Sequence, residues 1–317
     1  MTFDLITMGR VSVDVYPDQV SVPLEDVESF GRYLGGSPTN VAVAAARYGR
    51  SAAVITRTGD DPFGRFVHKA LKEYGVDDRF VAAVPGLPTP LAFCEIFPPD
   101  DFPLYFYRYP KAPDLEIHPD ELDLKAIREA RIVWATVTGL SQEPSRAATL
   151  TALGEHAGQT ILDLDYRPML WADPDEAPHW AGLALERASV AVGNLEECEV
   201  AVGERDPYAA ARAILARGPE LAIVKMGPQG VLAATADEVV EVPPVKVDVM
   251  NGLGAGDAFG GAVCHGLLAG WDLRRLVGFA GAAGAVVASR IACSAAMPAA
   301  DEVERLLEER RPPEERR

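Results

Sequence analysis

The chain has 317 residues, enough for one large domain or two small ones, and its 48% hydrophobic and 24% charged residues are ordinary for a globular protein. A net charge of −17 argues against a nucleic-acid or anionic-membrane partner, since either needs a basic face, but leaves room for a local basic pocket around a small anion. Cys94, Cys198, Cys264 and Cys293 are far apart and the histidines are scattered, so neither a zinc ribbon nor a disulfide scaffold is suggested. The first residues carry no basic n-region and no apolar run reaches the length of a membrane span, which makes the cytoplasm the expected location.

In chain order, residues 3–8 read as a buried strand. Asp14, in Gly9-Arg-Val-Ser-Val-Asp, follows at the strand end, where open parallel sheets bind ligands. The segment 11–34 is long and not clearly helical. Residues 41–48 form a helix, with Pro38 suited to its first turn and Gly49 to its end. A strand at 51–57 is followed by a helix that Pro62 opens and Gly75 stops. The region 90–112 holds two strand-like runs around Pro98-Pro-Asp-Asp-Phe-Pro. Further apolar runs at 132–137, 160–164, 190–192 and 221–225 alternate with helical stretches, and 301–317 reads as a short charged helix with a frayed tail. The alternation predicts an α/β fold whose mostly parallel sheet is covered by helices on both faces. The two irregular segments, 11–34 and 90–112, predict a small β-structure standing off it, either a lid or a set of edge strands with a surface hairpin.

The most informative stretch is Asn251-Gly-Leu-Gly-Ala-Gly-Asp-Ala-Phe-Gly-Gly, which opens a helix running to about residue 268. Gly254, Ala255 and Gly256 lack bulky side chains, so their amides can approach a ligand, and they lie at a helix N-terminus that favours anions. A dinucleotide fingerprint needs a further glycine and an acid about twenty residues on, whereas Asp257 follows the run directly. A Walker loop needs Lys-Ser or Lys-Thr after the last glycine, and there is none. Two readings remain. One is an anion cradle with Asp257 as the base that takes the proton of an attacking alcohol; the other is a glycine-rich turn capped by Asp257. A second bare helix start lies at Tyr33-Leu-Gly35-Gly36-Ser37-Pro-Thr-Asn40. It suits hydroxyl or carboxylate binding with Asn40 as donor and acceptor, or else a plain loop with Ser37 as N-cap.

Taken together, these runs resemble the signatures of the ribokinase-like (PfkB) carbohydrate kinase family. Gly35-Gly36…Asn40 looks like the family's N-terminal signature and Gly254-Ala-Gly-Asp257 like its C-terminal one. Between them Gly59-Asp-Asp-Pro-Phe-Gly64, Asn194-Leu-Glu-Glu197 and Lys225-Met-Gly-Pro-Gln-Gly230 are similar to its internal motifs, in the family's order. The resemblance implies one αβα-sandwich domain over 1–317 with a β-lid, and a homodimer formed through the lid. It implies ATP with Mg²⁺ as cofactors. The nucleotide would be held by Asn194, Lys225, Gly227, Gly230, Gly254 and Gly256, with Ala283 from the segment 282–286. Asn194 and Glu197 would order the metal through water, Asp257 would act as base, and Asp14, Gly35, Gly36 and Asn40 would bind the acceptor. Relatives carry Asp-Thr-Thr where this chain has Asn251-Gly-Leu, part of a monovalent-cation site, so potassium activation is not expected.

Two features narrow the acceptor. Asp163-Leu-Asp-Tyr-Arg167-Pro-Met-Leu-Trp171 is similar to a run of keto-sugar-acid kinases, with Asp165 in place of their Asn, and Phe106-Tyr-Arg108 resembles their Tyr-Tyr-Arg. A strand ending there puts Phe106 and Arg108 on one face, an aromatic wall with a guanidinium shaped for a carboxylate. The plain alternative is an exposed arginine on a hairpin. Arg167 could meet either the substrate or the ATP phosphates. The expected activity is ATP-dependent phosphorylation of the terminal hydroxyl of a keto-deoxy sugar acid. The nearest alternative acceptor is a second keto-deoxy sugar acid of the same length and charge, 2-dehydro-3-deoxygluconate. A neutral sugar such as fructose follows, and a catalytically silent sugar-binding regulator is the more distant alternative.

Overall fold

A computed structural model describes residues 2–310. The chain begins with β1 (Leu5–Met8) and turns into a smaller sheet through β2 (Ser12–Pro17) and β3 (Phe30–Gly35) before helix α1 (Ser37–Arg47). Next come β4 (Ala52–Gly59), α2 (Pro62–Glu73), β5 (Val76–Asp77) and β6 (Val81–Val84), then the hairpin β7 (Leu91–Cys94) and β8 (Leu104–Tyr107). The second half runs α3 (Leu124–Glu129), β9 (Ile132–Thr136), α4 (Ser145–Glu155), β10 (Gln159–Asp163), α5 (Ala177–Leu185), β11 (Val190–Asn194), α6 (Leu195–Val202), α7 (Pro207–Leu215) and β12 (Leu221–Lys225). It ends with β13 (Val231–Ala234), β14 (Val239–Val242), α8 (Ala255–Ala269), α9 (Leu273–Ala288) and α10 (Ala300–Arg310). The rest of the expected C-terminal tail, 311–317, lies outside the described residues.

The main sheet has the order β14-β13-β12-β11-β10-β9-β1-β4-β5, with β6 also on β4. It is parallel from β12 to β5, and the edge strands β13 and β14 run antiparallel. The chain leaves β1 toward β4 and returns on the other side with β9, so the progression reverses at the β1/β9 crevice. In open α/β sheets that reversal is where ligands bind. Alternate side chains leave the two faces. Leu5, Trp134, Ile161, Val192 and Ile223 pack with α1, α8 and α9, whereas Ile6, Met8, Val133 and Ile55 face α3 and α4, and Leu162, Ala191 and Val224 face α5 to α7. All eight residues of β4 are buried, including the polar Thr56, Arg57 and Thr58.

The irregular segments form a separate four-stranded sheet in the order β3-β2-β7-β8. Its inner face, with Tyr16, Cys94 and Leu104, packs on Leu253, Ile291 and Cys293. Its outer face carries Phe30, Phe93 and Tyr107 in edge-to-face contact. The β13–β14 hairpin and the short β5 and β6 were not expected. Among the described residues no helix is long and apolar enough to cross a membrane.

Helices α1 and α8 cross in close contact because α8 presents glycines. A Cβ at Gly260 would fall 2.6 Å from Trp134, and one at Gly261 only 2.4 Å from the Ala44 Cβ and 3.1 Å from the Val41 carbonyl. The better helix propensity of alanine, about 1 kcal/mol, does not offset such a clash. Gly261→Ala is therefore expected to destabilise the protein by about 1–3 kcal/mol, read as a lower urea midpoint.

Candidate active site

The glycine turn that opens α1 and the one that opens α8 meet. Asn40 Nδ2 donates to Asp257 Oδ2 at 2.7 Å across 217 residues of chain, and Ser294 Oγ donates to Asn40 Oδ1 at 2.5 Å. Asn40 thus links Asp257 to Ser294 while still lining the cavity. The positive φ of Gly36 lets the turn pass where a Cβ would lie 2.5 Å from the Arg10 carbonyl. Gly254, also at positive φ, caps α8 where a Cβ would meet Cys293 Sγ at 2.7 Å. Between the two turns lies a cavity of about 420 Å³, roofed by Ala92, Leu104 and Phe106 of the small sheet.

One wall of the cavity is β2, whose alternation turns Ser12, Asp14 and Tyr16 inward. Ser12 Oγ donates to Asp14 Oδ1 at 2.7 Å and Tyr16 OH to Oδ2 at 3.0 Å, while Tyr16 also sits 2.8 Å from Cys293 Sγ. Burial outweighs these bonds and pushes the Asp14 carboxyl up to about 6. Gly35 does not reach the cavity. Its role is to make room for Asp14, because a Cβ there would fall 2.0 Å from the carboxylate. Burial likewise raises Asp257, opposed by Asn40 and by the charge of Arg10.

The opposite wall comes from the ends of β10, β11 and β12. Asp163, Asp165, Arg167, Asn194, Glu197, Lys225 and Gly227 all line it. Asn194 and Glu197 form a reciprocal cap: Asn194 N donates to Glu197 Oε2 at 2.7 Å and Glu197 N to Asn194 Oδ1 at 2.9 Å. Lys225 Nζ lies 3.8 Å from Glu197 Oε2, and a Cβ at Gly256 would meet it at 3.5 Å. Burial disfavours the charge on Lys225, but Glu197, Asp163 and Asp165 hold it firmly protonated. Asp163 is pushed up by burial, whereas Asp165 is pulled down despite burial by Arg10 and Arg167. This half therefore combines an ammonium, a 15-residue helix aimed N-terminus first and the bare backbone of Gly254 and Gly256, a donor set that fits nucleotide phosphates. Among the described residues no group of three or more His, Cys, Asp or Glu is placed to hold a metal directly. Asn194 and Glu197, which line this half, would be the residues beside a Mg²⁺ brought in with nucleotide phosphates.

Several expected residues stand elsewhere. Arg108 is off the cavity wall, because its guanidinium closes on the buried Asp114 through Nη2–Oδ1 at 2.5 Å and Nη1–Oδ2 at 3.2 Å. Ala283 is buried in the core of α9. Gly230, at positive φ, shapes the turn after β12, where a Cβ would fall 2.1 Å from the Val242 carbonyl. Ala255 is not a lining residue either. The site also contains groups that the reading of the sequence passed over: Arg10, Ser12, Tyr16, Asp163 and Cys293. The i, i+2, i+4 polar spacing of Ser12, Asp14 and Tyr16 was available as a signal.

The pfkB family carbohydrate kinase profile matches residues 2–300. The chain is 34% identical to 5-dehydro-2-deoxygluconokinase of Shouchella clausii over 97% of its own length and 96% of that protein's. Among solved structures, Xylella fastidiosa fructokinase with bound ATP superposes with a TM-score of 0.85 at 25% identity, covering 96% of this chain and 98% of that one. An Escherichia coli protein described as a ribokinase II, in complex with ATP and Mg²⁺, superposes with a TM-score of 0.89 at 23% identity, covering 98% and 100%. The chain belongs to the pfkB carbohydrate kinase family and has the ribokinase-like α/β fold. It is an ATP-dependent sugar kinase, and several curated relatives at this level of identity carry the name 5-dehydro-2-deoxygluconokinase.

The raised Asp14 has a measurable consequence. With its carboxyl at about 6 instead of 3.8, it is an ionised hydrogen-bond acceptor above that pH and becomes protonated below it. The KM for the sugar is expected to rise as pH falls from about 7 to about 5, and Asp14→Asn should flatten that rise. An unchanged profile in the variant would remove Asp14 from the titration.

Proposed function

We propose that the protein phosphorylates the terminal hydroxyl of 5-dehydro-2-deoxy-D-gluconate, a step of myo-inositol breakdown in the cytoplasm. The observation that supports the kinase geometry is the 2.7 Å contact of Asn40 with Asp257, which joins the turn read as the acceptor side to the carboxylate read as the base. The choice of acceptor is supported by the names of relatives aligned over nearly the whole chain. ATP bound as its Mg²⁺ complex supplies the phosphoryl group. Asp14 and the Gly36 turn orient the acceptor hydroxyls. Asp257 then takes the proton from the terminal hydroxyl as its oxygen bonds to phosphorus and the bond to ADP breaks. The amides of residues 254–256 and Lys225 stabilise the charge spread over the transferring group. Phe106, Leu104 and Ala92 act as the lid that keeps water from competing.

Asn251 supports independence from potassium. Its Nδ2 donates to the Ile291 carbonyl at 2.6 Å and its Oδ1 accepts from Leu253 N at 3.0 Å, so a neutral amide ties together backbone that a cation would otherwise organise. A homodimer joined through the small sheet belongs to the same reading, supported by the exposed Phe30, Tyr105 and Tyr107.

Three measurements test this. In an ADP-release assay with 5-dehydro-2-deoxy-D-gluconate, 2-dehydro-3-deoxy-D-gluconate, fructose and ribose, the first is expected to give the highest kcat/KM; a higher value for any other member would overturn the assignment. Asp257→Asn should bind ATP and lose roughly 10²–10⁴-fold in kcat. Replacing potassium with tetramethylammonium should leave the rate unchanged, and a strong loss would refute the role given to Asn251.

A further inference from the structure

We infer that Arg10, one residue beyond Gly9 at the end of the first strand, recognises the carboxylate of the acceptor, and that Asp165 is its positioning residue. This deepens the sugar-acid reading above and rests on it. Arg10 stands at the β1/β9 crevice, its side chain is nine-tenths buried, and it lines the cavity. Its Nη1 donates to Thr138 Oγ1 at 2.5 Å and to Asp165 Oδ2. Among the described residues no protein acceptor takes its Nε or Nη2. Those two donors form one edge of the guanidinium, the edge that matches the two oxygens of a carboxylate. Neither donor is sealed off from solvent, so a ligand or water in the cavity can accept from it.

The other arginines are less suited. Arg108 spends both of its terminal nitrogens on Asp114. Arg167 lines the cavity but is more than a third exposed, with Nε 3.3 Å from Asp165 Oδ1. Asp165 therefore sits between two guanidiniums, hydrogen-bonded to Arg10 and in ionic contact with Arg167, and its single charge cannot neutralise both. The free edge of Arg10 is thus open to an anionic group in the cavity, from which a neutral sugar would gain little. Arg10 also feels the charges of Asp257 and Asp114, which defines the competing role of keeping the base ionised.

The test uses the full chain with two variants, Arg10→Gln and the charge-neutral pair Arg10→Gln with Asp165→Asn, which avoids leaving Asp165 buried without a counter-charge. ATP binding by calorimetry reports that the fold and the nucleotide half are intact. In both variants the KM for 5-dehydro-2-deoxy-D-gluconate is expected to rise roughly 10- to 100-fold. That rise should exceed any loss in kcat and any change in the KM for fructose, and Arg10→Lys should recover part of it. Asp165→Asn alone should raise the same KM by a smaller factor. A fall in kcat with KM unchanged would give Arg10 to the base instead, and equal rises for acid and fructose would make it structural. Either result overturns the inference. A wild-type enzyme that prefers fructose sinks the sugar-acid reading itself, whereas a preference for the acid that survives in Arg10→Gln sinks only the role of Arg10.

Discussion

The hydrogen bond from Asn40 to Asp257 is the constraint on which the site depends. It joins the first turn of α1 to the first turn of α8, two helices that the sequence separates by 217 positions. Its length is set by helices rather than by loops, since Gly260 and Gly261 let α8 lie directly against Trp134 and α1. A carboxylate fixed in this way keeps its direction without reorganising during reaction, which is where preorganised sites gain most of their effect. Enclosure raises its proton affinity toward that of a useful base, while Asn40 keeps the ionised form accessible.

The charge pattern of the cavity is the second organising feature. Asp14, Asp163, Asp165, Glu197 and Asp257 face Arg10, Arg167 and Lys225, so on formal charges carboxylates outnumber cations within a protein that is already strongly acidic. An anion can be held there only if the positive groups are local and directional and some acids stay protonated. The structure provides both: burial raises Asp163 strongly, and Lys225 stands at the mouth of a helix N-terminus. A nucleotide accompanied by a divalent cation also suits this balance better than a bare one.

Much of this was legible in the sequence because it is written in local chemistry. Gly36 and Gly254 are needed for their backbone conformation, Pro38 and Pro62 for helix starts, and Asn194 with Glu197 for a cap, and each of these leaves a mark within a few residues. What could not be read depends on partners set by topology. Alternation correctly places Leu104 and Phe106 on the inner face, but nothing local says that Arg108 will be claimed by Asp114 six residues on. Arg10 looks like any charge after a strand until the order of β9, β1 and β4 shows that it stands where the sheet reverses. The β13–β14 hairpin was missed because its two strands are short and carry no clear period beyond the last parallel strand.

The lining of the cavity is gathered from the whole length of the chain, from Arg10 to Asn40 near its start, through Asp163 to Lys225, to Asp257 and Cys293 near its end. A polypeptide still emerging from the ribosome therefore owns no complete wall of the cavity until nearly all of it has been made. Asp257, among the last of these residues to be made, is held in place by Asn40, one made near the beginning.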